Sequence, residues 1–141
     1  MSGFLLDTNC LSELVRTHPE PRVLQWIDAA DESLLYLSVL TLGEIRKGVA
    51  GLPPSQRRTK LESWLELELR ARFAGRVLGI DSAIADRWGT LAAAAKRSGR
   101  ALSAIDGLLA ATALHHNLTI VSRNVSDFAG TPVPMVNPWQ L

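Results

Sequence analysis

The order in which short apolar runs and helix-like segments follow each other is the feature of this sequence that most limits its fold. Several apolar runs are too short for a helix, and most of them lead into a segment with apolar residues at helical spacing. We predict strands at 3–6, 34–40, 76–80 and 118–121, and an edge strand at 133–136. Helices are predicted at 8–14, 23–27, 41–49, 55–73, 82–97 and 103–116, and either Asp81 or Ser82 is expected to cap the helix at 82–97. This alternation predicts an α/β fold with a mostly parallel central sheet, helices on both faces and right-handed crossovers.

The size and composition of the chain restrict the class of protein. A length of 141 residues suits one compact domain, so we expect a single domain over 1–141. Hydrophobic residues at 47% and charged residues at 21% exclude a disordered chain. No apolar run approaches the roughly 20 residues that cross a bilayer. Cys10 is the only cysteine and the first residues lack a secretory-signal pattern, so we expect a cytoplasmic protein without membrane contact.

The placement of charge matters more than its total, because the formal net charge is only +1. Basic clusters in the first half could follow a phosphate backbone, although most are expected to be solvated helix faces. The four tryptophans sit among apolar neighbours, which favours packing over base stacking. The amphipathic helix predicted at 55–73, which carries Trp64, is a candidate surface for self-association or for docking a partner protein. The basic clusters contain Arg46, Lys47, Arg57, Arg58, Lys60, Arg70, Arg72 and Arg76.

Three acidic residues, Asp7, Glu44 and Asp106, lie near the predicted starts of helices. The carboxyl ends of parallel strands share one edge of a sheet, so we expect these carboxylates to converge there around a cation. Each acid also has a simpler interpretation, because Thr41 with Glu44 and Ser103 with Asp106 match the capping box at a helix start. Taken singly, each of these acids fits capping better than catalysis. Taken together, the three acids favour a shared site.

Asp106 is the acid that capping explains least. It is the only charged residue between 102 and 114, and after Asp86 only Asp106 and Asp127 are acidic. The surrounding leucine, alanine and isoleucine residues predict a largely buried helix, in which an ionised carboxylate needs a metal ion or a basic partner. Oxygen ligands without a cluster of cysteine or histidine favour Mg²⁺, with Mn²⁺ as a substitute.

Four motifs in this order resemble the PIN-domain toxins called VapC. They are LLDTN at 5–9, LGEIRKG at 42–48, IDGLLAATA at 105–113 and VSRNVSDF at 121–128. The last of these, with NPW at 137–139, is similar to the branch that includes the FitB-like toxins. Their order and spacing over nearly the whole chain make the resemblance specific.

The resemblance implies a single PIN domain that acts as the toxin of a type II toxin–antitoxin system. Such a protein is a metal-dependent endoribonuclease, commonly a homodimer, and a cognate antitoxin silences it by occupying the active-site groove. The resemblance also implies that Asp7, Glu44 and Asp106 are both the catalytic residues and the ligands of Mg²⁺. RNA as the substrate follows from the resemblance alone.

One position departs from the family pattern. Members often carry a fourth acid where this chain has Asn124, and an amide oxygen can bind a metal ion or hold a water without supplying negative charge. Asp127 either compensates, at a second metal or by positioning water, or is an ordinary turn acid. Thr8 and Asn9 either contact the phosphate or a water near the metal, or simply begin the helix.

Two other function classes remain open at this stage. A catalytically weakened PIN-fold module that binds RNA or protein is compatible with Asn124. A magnesium-dependent aspartyl phosphotransfer enzyme or phosphatase also carries an acid after its first strand. The haloacid-dehalogenase-like pattern has a second aspartate where this chain has Asn9, and a receiver domain has an acidic pair that 3–6 lacks.

Overall fold

Five short strands run parallel to one another in the computed structural model, which describes residues 2–141. Their order across the sheet is β3-β2-β1-β4-β5. In register, Phe4 of the central strand lies beside Leu35 on one side and Thr119 on the other. The predicted parallel sheet is therefore confirmed. The strands are β1 (Phe4–Leu6), β2 (Leu35–Ser38), β3 (Val77–Leu78), β4 (Thr119–Val121) and β5 (Met135–Val136).

The helices connect these strands in the predicted alternation. α6 begins where Asp81 accepts a hydrogen bond from the Ile84 amide at 2.9 Å, as its sequence predicts. The long amphipathic segment is one helical stretch in which a π-helical segment (Trp64–Leu69) separates α4 from α5. Short 3₁₀ turns lie at Glu32–Leu34, Val125–Phe128 and Pro138–Gln140. The helices are α1 (Thr8–Glu13), α2 (Pro21–Ala29), α3 (Val39–Ala50), α4 (Gln56–Ser63), α5 (Arg70–Arg72), α6 (Ser82–Arg97) and α7 (Ala104–His115).

The start of α3 differs from the prediction. The strand predicted to reach residue 40 ends at Ser38, whose hydroxyl accepts the Leu40 amide at 3.1 Å and caps the helix. Thr41 is therefore buried inside the helix and caps nothing, and Glu44 lies in the second turn. The predicted capping box at 41–44 is wrong. The helix begins earlier than predicted, because Ser38 caps it and Thr41 is already a helical residue. At α7 the corresponding bond is present, with the Asp106 amide donating to the Ser103 hydroxyl at 3.1 Å.

Alternating strand residues fill the two faces of the sheet. Leu6, Leu37 and Val121 pack on one face with residues from α1, α2, α3 and the segment that joins α4 to α5. Leu5 and Ile120 pack on the other face with residues of α7. Burying both faces removes strand side chains from water, which accounts for the continuous apolar strand sequences. The predicted placement of helices on both faces is confirmed.

The direction in which the chain leaves the central strand determines where a site can form. From β1 the sheet continues through β2 and β3 on one side, and through β4 and β5 on the other. A crevice at the carboxyl ends of β1 and β4 follows from this reversal, and open α/β sheets bind ligands at such a point. Asp7 and Ser122 are the residues that directly follow these two strands. Within residues 2–141 no helix has the length and apolar character that crossing a membrane requires.

Candidate active site

Asp7 is the acid that the fold holds most firmly. Its backbone amide donates to the Val121 carbonyl at 3.0 Å, which extends the pairing of β1 with β4 to this residue. One carboxylate oxygen, Oδ1, accepts the Thr8 amide at 2.8 Å at the start of α1, and Oδ2 accepts the Ser122 hydroxyl at 2.8 Å. The residue is 8% exposed. Each oxygen keeps a lone pair for a further partner, since a carboxylate has about four acceptor sites.

Ser122 connects the two strand ends, and the sequence analysis assigned it no role. Its buried hydroxyl donates to Asp7 and accepts both the Asn9 side-chain amide at 3.2 Å and the Asn124 backbone amide at 3.0 Å. A serine directly after the strand that neighbours β1 was the signal available in the sequence. The position of this serine indicates a role in the site only when β4 is known to lie beside β1.

Thr8 and Asn9 take part in the same arrangement. The Thr8 hydroxyl donates to Glu44 Oε1 at 2.7 Å, so it joins the beginning of α1 to α3. Asn9 Oδ1 accepts the Arg123 backbone amide at 3.3 Å. Both residues lie in the first turn of α1, as the simpler interpretation predicts, and both side chains also link elements of the site. Contact with a phosphate stays a prediction.

The carboxylates of the site act on one another electrostatically. Burial raises the pKa of Asp7, the hydrogen bonds from Ser122 and Thr8 lower it, and the charges of Glu44 and Asp127 raise it further. Burial also raises the pKa of Asp106, against a hydrogen bond from Ser103, and the charges of Asp7 and Asp127 add to that rise. The acids predicted from distant parts of the sequence are therefore close enough to repel each other.

No basic side chain offsets this negative charge within residues 2–141. The ion pairs of the described chain involve other acids, namely Glu13, Glu20, Glu32, Glu62 and Glu66. Asp106 is half-buried, so its exposure is greater than the apolar sequence around it predicts. The first turn of α7 lies at the rim of the sheet, and the fully buried residues begin at Gly107.

The donor atoms at this edge suit a hydrated magnesium ion. Among residues 2–141, no three side chains of His, Cys, Asp or Glu lie close enough together to hold one ion by themselves. Asp7, Glu44 and Asp106 therefore do not form a closed set of direct ligands. Magnesium commonly keeps several waters and takes only one or two carboxylates from the protein, and oxygen atoms without a basic partner match that preference. The residues fit such an ion.

Asn124 and Asp127 lie at the exposed side of the site. The Asn124 side chain makes no hydrogen bond within the described residues, while its backbone amide binds Ser122. Asp127 belongs to the 3₁₀ turn that follows β4, and its charge raises the pKa of both Asp7 and Asp106. Asp127 therefore lies in a turn, as the simpler interpretation predicts, and its role at a second metal or in positioning water stays a prediction.

Two cavities that share lining residues lie along α1, and the inner one reaches Glu44. An inner cavity of about 360 Å³ is lined by Thr8 and Glu44. An outer groove of about 720 Å³ is lined by Leu14, Lys60 and Glu68. Both are lined by Val15, Arg16, Arg57, Leu61 and Trp64, so they form one path.

Comparisons with known proteins identify the family of this chain. Residues 4–132 match the PIN domain family. The VapC ribonuclease Y4jK of Sinorhizobium fredii is 40% identical over 136 residues, which cover 96% of this chain and 97% of that protein. The toxin FitB of Neisseria gonorrhoeae is 38% identical over 135 residues, with 96% and 97% covered. The crystal structure of FitAcB from Neisseria gonorrhoeae superposes with a TM-score of 0.93 at 38% identity, covering 98% of this chain and 99% of that one. This chain therefore belongs to the PIN-domain family, as a relative of the VapC and FitB proteins.

Proposed function

We propose that this protein is the toxin of a type II toxin–antitoxin system and acts as a magnesium-dependent endoribonuclease on RNA phosphodiester bonds. One observation carries the proposal: Asp7 is buried at the carboxyl edge of a PIN-domain sheet, and the charges of Glu44 and Asp127 raise its pKa. Within residues 2–141 no ion pair involves these acids. Such a cluster is stabilised by a divalent cation, which the proposed chemistry requires. The names of the relatives, VapC ribonuclease and toxin FitB, support the same function.

In this proposal Asp7, Glu44 and Asp106 hold Mg²⁺ together with bound waters that bridge the acids to the ion, and Mn²⁺ can substitute for it. When bound, the ion supplies an activated water and neutralises charge that develops on the phosphate. Ser122 and the Thr8 amide keep both Asp7 oxygens oriented before any ligand arrives. The Thr8 hydroxyl does the same for Glu44. This preorganisation favours catalysis because the charged groups need not rearrange during the reaction.

Proton transfer falls to the less constrained acids of the site. Asp106 is half-buried in the first turn of α7, where its carboxylate can orient the attacking water or accept its proton. Asn124 and Asp127 follow the carboxyl end of β4 and are proposed to position water or a second ion. The Asn9 side chain supports this side by tying the chain after β4 to α1.

We further propose a cognate antitoxin as partner and a homodimer as the assembly. A crystal structure similar to this chain is of FitAcB, and another is of FitAB bound to an IR36 DNA fragment. The path formed by the inner cavity and the outer groove has an apolar floor that includes Leu61 and Trp64. It is the candidate surface for the antitoxin, which would then cover the acids. Mass measurement of the purified toxin, alone and with the protein encoded beside it, tests both assemblies.

Cleavage of RNA by purified, antitoxin-free protein tests the proposed reaction. Single-stranded or looped RNA should be cut with Mg²⁺ or Mn²⁺ and stay intact in chelator. The Asp7→Asn and Asp106→Asn variants should stay folded and lose activity. Asp86→Asn is the matched control, because Asp86 is an exposed acid on α6 outside the cluster.

Three results would contradict the proposal in different ways. Cleavage that survives both substitutions would remove the assigned roles of these acids. An acid-stable phosphoryl group on Asp7 would indicate phosphotransfer. Metal binding without cleavage of any RNA would indicate the weakened binding module, which the exposed, unpaired Asn124 side chain keeps as the second candidate.

A further inference from the structure

We propose that Arg16 binds a backbone phosphate of the substrate beside the acid cluster, and that buried Glu13 holds Arg16 in position for this. The proposal rests on the proposed ribonuclease function and adds a positioning residue to it. It starts from an acid that the catalytic arrangement does not use, at the opposite end of α1 from Asp7.

Glu13 is a buried carboxylate on the last residue of α1, and its side chain is 3% exposed. Both of its oxygens lie 3.2 Å from Nη1 of Arg16, and Oε2 also accepts the Glu20 backbone amide at 3.0 Å. A buried carboxylate is tolerated only with such partners, so Glu13 constrains Arg16 strongly. The guanidinium is thereby fixed at the end of the helix that begins with Asp7.

Arg16 contacts Glu13 through only one of its nitrogen atoms, Nη1. Within residues 2–141 its Nε and Nη2 donate to no acceptor, and the side chain is 54% exposed. These nitrogens belong to a planar group whose hydrogen-bonding geometry matches a phosphate.

The exposed edge of Arg16 lies on the path that leads to the acids. Arg16 lines the inner cavity together with Thr8 and Glu44, and it also lines the outer groove. Arg57 lines both cavities as well, and Lys60 continues the positive charge in the outer groove, where Glu68 is the only acid among the lining residues. A single strand that leaves Glu44 along this path passes both Arg16 and Arg57. α1 rises about 9 Å over its six residues, so Arg16 contacts a phosphate near the cleaved bond, not the cleaved phosphate.

The salt dependence of RNA binding separates this role from a purely structural one. The probe is a fluorescein-labelled single-stranded RNA of mixed sequence, bound to the full chain without antitoxin, in chelator so that nothing is cut. The logarithm of the binding constant falls with the logarithm of salt concentration by about 0.7 for each phosphate contact on a single strand. The Glu13→Gln/Arg16→Gln double variant should therefore have a slope about 0.7 less steep, and about tenfold weaker binding at low salt.

The choice of variants keeps the test independent of folding. The double variant removes both charges, so it leaves no unpaired buried carboxylate. The Arg16→Lys variant keeps the positive charge and should keep the wild-type slope. Arg22→Gln is the matched control, because Arg22 is also ion-paired and also follows α1, but it lies outside both cavities. With Mg²⁺, we expect KM of the double variant to rise about tenfold while kcat stays within about threefold.

The outcomes distinguish this proposal from the function on which it rests. If wild type and the double variant bind with equal salt slopes, or if Arg22→Gln lowers the slope equally, the role of Arg16 is overturned even when RNA is cut. If the double variant cannot fold, an Arg16→Lys variant with a reduced slope overturns it as well. If wild type never cuts RNA but binding still depends on Arg16, the proposed ribonuclease function fails and the phosphate contact stands. If wild type does not bind the RNA, both are overturned.

Discussion

The two halves of the acid site are built on different principles. On the strand half, Asp7 and Ser122 follow adjacent strands, are buried, and are joined by hydrogen bonds that occupy both carboxylate oxygens. On the helix half, Asp106 and Asp127 are half-buried and exposed, and neither has an ion pair within the described chain. The strand half is oriented by bonds within the protein. The acids of the helix half have fewer such bonds within the described chain, so a bound cation and substrate would orient them.

This difference matters because hydrogen bonds and charge repulsion have opposite effects on the pKa of these acids. The bonds from Ser122 and Thr8 favour the ionised form of Asp7, while burial and the neighbouring acids disfavour it. Asp106 has fewer bonds to offset the same repulsion. We infer that the strand half fixes the geometry, whereas the helix half provides proton-accepting capacity.

Removal of one charge from each half should give the largest effect. Asp7→Asn and Asp106→Asn should each lower kcat/KM by about 10²- to 10⁴-fold, the usual range for a lost proton-transfer or metal-binding carboxylate. The comparison predicts a further difference: Asp7→Asn should also weaken metal binding more, because it disturbs the bonds that orient the site. Calorimetric titration with Mn²⁺ measures this affinity. Equal affinities in the two variants would contradict the division into halves.

Loss of one hydroxyl from each half should give the next effect. Ser122→Ala removes the donor to Asp7 and leaves the Asn9 side chain and the Asn124 amide without their acceptor, so activity should fall about 10- to 100-fold. Ser103→Ala is its match on the helix half. It removes the cap of α7 and should cost about 1 kcal/mol of stability with only a small change in activity. Cleavage rates and urea unfolding of both variants decide the comparison.

The strand half also shows which features of the structure could be predicted from the sequence. The order of elements, the parallel sheet and the role of Asp81 as a cap followed from local patterns, because apolar runs and capping residues act over a few positions. Ser122 did not follow, since its role depends on β4 lying beside β1, which no local pattern states. The start of α3 was misplaced because Ser38 and Thr41 are both good caps, and only the register of β2 selects between them.

The helix half was predicted less well for a physical reason. The apolar sequence around Asp106 predicted deep burial, but burial depends on where a helix begins relative to the sheet edge, and its first turn reaches the rim. The burial of Glu13 was not predicted either. Glu13 lies between Ser12 and Leu14 in the sequence, and it is buried because it accepts the Glu20 amide from the chain that connects α1 to α2.

Restoring an acid on the helix half should give a smaller effect. Asn124→Asp adds a carboxylate beside Ser122, where the amide side chain makes no hydrogen bond within residues 2–141. A higher ligand charge should tighten binding of Mn²⁺ by a few fold and change the cleavage rate modestly. Asn124→Ser, which keeps an oxygen without the charge, is the control. If both substitutions tighten the binding of Mn²⁺ equally, the added negative charge is not the cause, and this prediction fails.

The smallest expected effect is on the stability of the metal-free protein, and it has a defined dependence on pH. Because the pKa of Asp106 is raised in the folded protein, the folded state binds this proton more tightly than the unfolded state, where the pKa is about 3.9. Stability therefore falls as pH rises from about 4 through the raised pKa. Asp106→Asn removes that loss, so in chelator it should melt slightly above wild type at pH 8, with the difference closing towards pH 4. The melting temperature of Asp7→Asn should rise less, since this variant also loses a charged acceptor for Ser122 and Thr8.

Saturating Mn²⁺ should reverse this order of stability, because the ion stabilises the wild-type carboxylates by binding only the folded state. A difference between Asp106→Asn and wild type that is independent of pH would mean that charge repulsion does not set the energetics of the helix half.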